Sequence, residues 1–307
     1  MSYALVDVWE RFEADPYAQD ILLPFKDRLS LEVRTADQRN ALRLLQPITD
    51  IIFRNEFTQD EIIEHLSHET EMLEIYSGRL LTDLKFVRTL LALKELLLCE
   101  CAQLTHLEDL SGLRISNLRL LQLPEDFSFN SLASLPELTE LALYSRLPWG
   151  SLEGMPASPN LTALRLAGWI DTPLLGVSKW RDLNDLVINA APTPAEWREI
   201  AALPRLTNLY ISQYDLAQAA PMHSVKHLQL SPIDSDAQLS LIADTFPNLE
   251  SISVNCRASL PDITDITPLR RIKGLQVTLN YADTVVGLEE FNSGTVHLYP
   301  RPRTADI

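Results

Sequence analysis

Apolar and polar positions follow one phrase along this chain, apolar-x-x-apolar-x-apolar. It reads LPRLTNLYIS at 203–212 and returns as LPELTELALY (135–144), SPNLTALRLA (158–167) and FPNLESISVN (246–255). Ten copies can be placed, at 93–98, 118–123, 138–143, 161–166, 183–188, 206–211, 225–230, 249–254, 272–277 and 293–298. Of their thirty positions that should be apolar, 29 are, and only Ser293 fails. Side chains alternate across a strand, so each copy predicts one short strand. Its fourth and sixth residues face one way, and its third, fifth and seventh face the other. One such unit cannot bury its leucines, but stacked units can, as a parallel sheet over a continuous core. Return segments should lie outside. TPAEWREIAAL (193–203) predicts a helix from its Thr193/Glu196 capping box and Pro194 at the first helical position, and SDAQLSLIADTF (235–246) from Ser235/Gln238. Strands pack closer than helices, so the array is expected to bend, with the sheet inside.

The period lies in the range of leucine-rich repeats, roughly 20–29 residues, and residues 93–298 resemble an array of that family. Cys101 occupies the family's Asn/Cys position in the first copy, and Asn280 can do so in the ninth. Elsewhere that position holds Asp126, Arg146, Trp169, Ala191, Tyr214, Ile233, Arg257 and Arg301. The resemblance implies an α/β solenoid, a horseshoe with a parallel concave sheet and a helical or irregular convex side. Residues 91–307 form the array in this reading.

Residues 1–90 read as helices that make an N-terminal α-helical cap or coupling region. SYALVDVWERFEAD (2–15) carries apolar residues near helical spacing, and Pro16, Pro24 and Pro47 interrupt. Thr58 and Glu61 form a capping box before QDEIIEHLSHETEMLEIYSG (59–78), with Gly78 as its stop. Helices of this texture running into irregular leucine-rich repeats are similar to the C-terminal part of bacterial NACHT-type signalling ATPases, which resemble NOD-like immune receptors. That resemblance implies an ATPase domain N-terminal to the repeats, with the repeats as sensor in a bacterial innate-immune or antiviral defence system.

Charge narrows the partners. The 307 residues carry a formal net charge of −16, which disfavours nucleic acid and anionic membrane surfaces. Three cysteines, Cys99, Cys101 and Cys256, do not make a disulfide framework and suit a reducing cytoplasm. The N-terminus has acids where a signal peptide needs a basic start, and no apolar run is long enough to span a membrane. No G-x-x-x-x-G-K-[ST], G-x-G-x-x-G or G-x-S-x-G occurs. The pair Cys99/Cys101 has no second pair to complete a zinc site. His65, His68 and Glu69 are not in zincin order and read as a solvated helix face. Neither an enzyme nor a cofactor is expected.

What remains is a binding surface. The fifth positions read Leu97, Gln122, Ala142, Arg165, Val187, Tyr210, Gln229, Ser253, Gln276 and His297. The seventh read Cys99, Pro124, Tyr144, Ala167, Asn189, Ser212, Ser231, Asn255, Thr278 and Tyr299. Apart from Arg165 this strip is nearly uncharged. Aromatic and Arg side chains dominate protein interfaces, so Tyr144, Arg165, Trp169, Tyr210 and Tyr214, with Trp149 at the rim, are the candidate ligand contacts. The expected function is non-enzymatic capture of a protein or peptide ligand on the concave face. A stand-alone scaffold or inhibitor is the alternative, and an enzyme or secreted effector with its activity in residues 1–90 is a third reading.

Overall fold

The computed structural model describes residues 30–33, 49–124, 126–144, 152–166, 174–189, 191–212, 214–233, 236–256, 263–280, 284–291 and 295–299. The chain forms two compact units, residues 1–148 with 155–161, and residues 149–154 with 162–307.

The first unit holds six parallel strands, each paired to the next in chain order. They are β1 (Ser30–Val33), β2 (Asp50–Phe53), β3 (Met72–Ile75), β4 (Glu95–Cys99), β5 (Asn117–Leu121) and β6 (Glu140–Tyr144). Its one described α-helix, α1 (Gln59–Ile63), starts at the expected Thr58/Glu61 capping box. The other described returns are 3-10 turns at Lys85–Thr89, Glu108–Leu110 and Asn130–Ser134.

The helical expectation for residues 1–90 is corrected where the structure describes them. Ser30 pairs with Asp50, Asp50 with Met72, and Met72 with Glu95, offsets of 20, 22 and 23 residues. The repeat register therefore reaches upstream through three further strands. Helix α1 ends at Ile63, and the apolar residues beyond it enter the sheet core: Leu73 and Ile75 are buried, as are Ile51 and Phe53 one strand earlier. The copy at β3 hides from a pattern search because its first apolar position holds Thr70. That side chain is fully buried, and its hydroxyl accepts the Ser67 N–H at 3.2 Å, which removes the cost of a polar atom there. Gly78 is no helix stop. Its N–H donates to the Cys99 carbonyl at 3.0 Å, and a Cβ would collide with Cys101 Sγ. The rest of the expected cap, residues 1–29 and 34–48, lies outside the described residues.

The second unit runs β7 (Ala163–Leu166), β8 (Asp185–Ile188), α2 (Pro194–Ala201), β9 (Asn208–Ile211), β10 (His227–Ile233), α3 (Asp236–Thr245), β11 (Ser251–Cys256), β12 (Ile263–Asp265), β13 (Gln276–Asn280), β14 (Thr284–Val286) and β15 (Val296–Tyr299). Seven strands form a parallel run in the order β7-β8-β9-β10-β11-β13-β15, and β12 pairs with β14 on a return. Helix α2 is built as expected, with both capping-box bonds present and Pro194 in its first turn. Helix α3 falls on its predicted segment, but Ser235 lies outside the described residues. The Gln238 side chain accepts the Leu216 N–H of the preceding return at 2.9 Å.

Two devices lock successive repeats together. One carbonyl ahead of most strands accepts two N–H groups of the next copy: Asn184 O takes Thr207 N and Asn208 N at 3.0 and 2.8 Å. On the return side, a carboxylate or amide one repeat on accepts a turn N–H. Asp109 takes Leu84 N at 3.0 Å, and Glu196 takes Leu174 N at 2.5 Å. These bonds satisfy backbone donors that would otherwise be buried unpaired. Gly176 (φ +93°) begins another return; a Cβ there would stand 2.8 Å from the Glu153 Cα.

Candidate functional site

Strand register decides which side chains share a surface, and it corrects two of the expected copies. Glu95 pairs with Asn117, so the second copy is 115–120, three residues before the expected 118–123. An odd shift exchanges the two faces. Arg119 and Leu121 therefore take the fifth and seventh positions in place of Gln122 and Pro124. Gln122 sits instead in the turn, at φ +50°. Ser251 pairs with Gln276, so the ninth copy is 274–279, two residues later than expected. An even shift keeps the face. Asn280 becomes a seventh-position residue rather than the family's turn residue, and it donates to Asn255 Oδ1 at 2.8 Å. Cys101 does turn inward and is fully buried, its thiol pushed up to about 12 by burial.

In the second unit this face hollows into a groove of about 540 Å³ between Arg165 and Thr278. Arg165, Val187, Tyr210, Gln229, Ser253 and Thr278 stand in register on adjacent strands and form its central row. Adjacent strands are about 4.8 Å apart, which puts Arg165 and Tyr210 roughly 10 Å from each other across Val187. A second row of third positions adds Asp185, Asn208, His227 and Ser251. The expected strip omitted this row although the same alternation places it there. Arg165 stands 3.9 Å from Asp185, too far for a hydrogen bond, and Asp185 Oδ1 is buried without one. His227 Nδ1 meets Ser251 Oγ at 2.8 Å.

The candidate contacts separate. Arg165 and Tyr210 share the groove. Tyr214 does not line it; it sits half-buried beyond β9 with its hydroxyl enclosed. Tyr144 ends β6 in the first unit and is 36% exposed. Trp149 and Trp169 lie outside the described residues.

The same face in the first unit has another character. Asp50, Glu74, Glu95 and Arg119 occupy it, and Arg119 bridges Glu74 at 3.3 Å and Glu95 at 3.2 Å. Of these, only Arg119 lies on the expected strip of fifth and seventh positions; Glu95 lies in the third-position row, and Asp50 and Glu74 lie on the upstream strands. Burial, helped by the carboxylates of Glu71, Glu95 and Glu74 and opposed by a hydrogen bond with Thr49, raises the Asp50 carboxyl above its ordinary range. Burial and Glu74 raise Tyr76 likewise, and the Arg54 guanidinium lies 4.3 Å over its ring.

Little else offers chemistry. Among the described residues, no three His, Cys, Asp or Glu side chains are grouped to hold a metal ion. His65 is not on a solvated helix face: it is buried beyond α1, with Nδ1 2.6 Å from the Glu61 carbonyl and its ring edge-on to Phe53. Among the described residues, no helix is long and apolar enough to cross a membrane.

No protein-family model and no curated protein matches the chain. Among solved structures, an internalin of Listeria monocytogenes aligns at 15% identity with a TM-score of 0.50, over 93% of this chain and 89% of that one. The fold is that of a leucine-rich-repeat protein. The leucine-rich-repeat domain of APL1B also aligns, at 15% identity over 95% of both chains, with a TM-score of 0.41. At such identity the leucine-rich-repeat likeness speaks to fold alone.

Proposed function

We propose that this leucine-rich-repeat chain is a non-enzymatic protein-binding module that captures a protein ligand in the groove of its second unit. The observation that carries the reading is the central row, where Arg165 and Tyr210 stand two strands apart on one accessible face. Arg165 stands at one end of the groove and Tyr210 within it, and Arg and Tyr are among the side chains that most often anchor an interface. Tyr210→Ala and Arg165→Ala should each weaken ligand capture by more than about 1 kcal/mol, measured by calorimetry on a ligand co-purified from the source cells. Unchanged affinity in both variants would move the site elsewhere.

The more specific form of this proposal is a cytoplasmic sensor region of a bacterial NACHT-type receptor. Ligand binding would shift a resting–active equilibrium in an attached ATPase domain. Support for it has narrowed, because residues 30–33 and 50–90 belong to rungs of the array, which leaves only residues 1–29 and 34–48 for a helical coupling region. The size of the native polypeptide tests it. On a denaturing blot, an antibody to residues 93–307 should detect a band far above 34.7 kDa. A band at that mass would favour the stand-alone scaffold or inhibitor.

A further inference from the structure

The composition of the second unit's open face is more selective than its shape. The third, fifth and seventh positions of β9, β10, β11 and β13 make twelve sites. None is charged and none is aliphatic, although charged residues are 22% of the chain. All twelve carry neutral hydrogen-bonding groups, and five of them are the amides of Asn208, Gln229, Asn255, Gln276 and Asn280. An amide side chain offers one donor group and one acceptor, the same pair that a peptide group offers. A charged ligand group laid on these four strands would lose water and gain no counter-ion there, so its desolvation would go unrepaid. A neutral polar group would exchange its water for matched partners. Sugar rings stack on aromatic faces, and Tyr210 is the single large aromatic ring among the twelve, so a peptide fits this surface better than a glycan.

We propose that the β9–β13 part of the groove, beyond Arg165 and Asp185, binds an extended segment of a partner protein bearing uncharged polar side chains, and that this part rejects segments rich in charge of either sign. This rests on the protein-binding reading and sharpens it. It also runs against the simplest expectation for a chain of net charge −16, whose long-range field attracts cations.

A randomised peptide library displayed on phage, selected on the immobilised full chain, tests the proposal. The enriched peptides should be neutral and rich in Asn, Gln, Ser and Thr, and their affinity should hardly change between low and high salt. Gln229 is exposed, so Gln229→Glu and Gln229→Lys should leave the melting temperature unchanged, yet each should weaken these peptides by about tenfold. Reselection on Gln229→Glu should enrich Lys and Arg. Enrichment of basic peptides on the parent chain would overturn the inference and leave the protein-binding reading standing, as would neutral peptides indifferent to both variants. If no peptide is enriched and a neutral glycan on an array binds instead, both fall.

Discussion

The two units are built on the same kind of core and present two different faces. In β2 to β6 and in β7 to β11 and β13, the fourth and sixth positions are buried apolar residues, as at Leu118 and Leu120 in β5 and Leu209 and Ile211 in β9. The fifteen face positions of β2 to β6 include six charged side chains, and the twelve of β9, β10, β11 and β13 include none. Stacking therefore dictates the inside of every rung and leaves the outside free to vary. A repeat chain can carry two chemistries on one scaffold because the face positions lie on the opposite side of the sheet from the apolar core.

The sharpest check on that shared core compares Leu73→Ala in β3 with Leu209→Ala in β9. Both side chains occupy the fourth position, at 0% and 2% exposure. Each truncation should cost about 3 kcal/mol, read from urea unfolding. Residues 72–75 were legible as helix, and a leucine on a solvated helix would lose less than about 1 kcal/mol. A small loss at Leu73 would thus undo both the upstream rungs and the equality of the two cores.

The faces should part company under charge deletion. Glu74 is buried in the first unit and relies on Arg119. Arg119→Ala should cost about 2 kcal/mol, below the 3–5 kcal/mol of a fully buried pair because the Arg119 side chain is 32% exposed. Adding Glu74→Gln should return much of it. Arg165→Ala in the second unit breaks only a loose 3.9 Å contact with Asp185 and should cost less than about 0.5 kcal/mol. Equal losses at Arg119 and Arg165, measured by thermal unfolding, would erase the contrast.

How much of this the sequence displays depends on how faithfully each rung obeys the phrase. From β6 to β11 the apolar positions and the observed strands coincide, and the row holding Arg165 and Tyr210 is legible at once. In the copy at 115–120, a second leucine run, Leu118-Leu121-Leu123, matches the phrase equally well. Only pairing with Glu95 decides between them, and the error concealed Arg119. Upstream, Thr70 breaks the pattern and the Thr58/Glu61 capping box is real, so local signals favoured a helix that stops after five residues. Capping chemistry fixes where a helix begins; its length here is set by the next strand joining the sheet. The hydrogen bond that lets Thr70 sit in the core comes from Ser67, a partner that apolar patterning does not register.

The smallest effect is a matter of pH and belongs to the first unit. Asp50 titrates above its ordinary 3.8 in the folded chain, chiefly through burial, with Glu71, Glu95 and Glu74 adding to it. Between 3.8 and its folded value, the native state binds more protons there than the unfolded state. Stability contributed by this group is then fully present below 3.8 and is lost as pH rises through the folded value. Asp50→Asn removes that loss while keeping an oxygen for the hydrogen bond with Thr49. The variant should be slightly more stable than the parent at neutral pH, by less than about 0.5 kcal/mol. Its advantage should shrink to nothing as pH falls toward 3.8, in melting curves of the two proteins recorded across that range. A variant less stable at neutral pH, or an advantage that ignores pH, would mean that neither burial nor the neighbouring carboxylates penalise the Asp50 charge, and the first unit's face would then differ from the second's in composition but not in electrostatic strain.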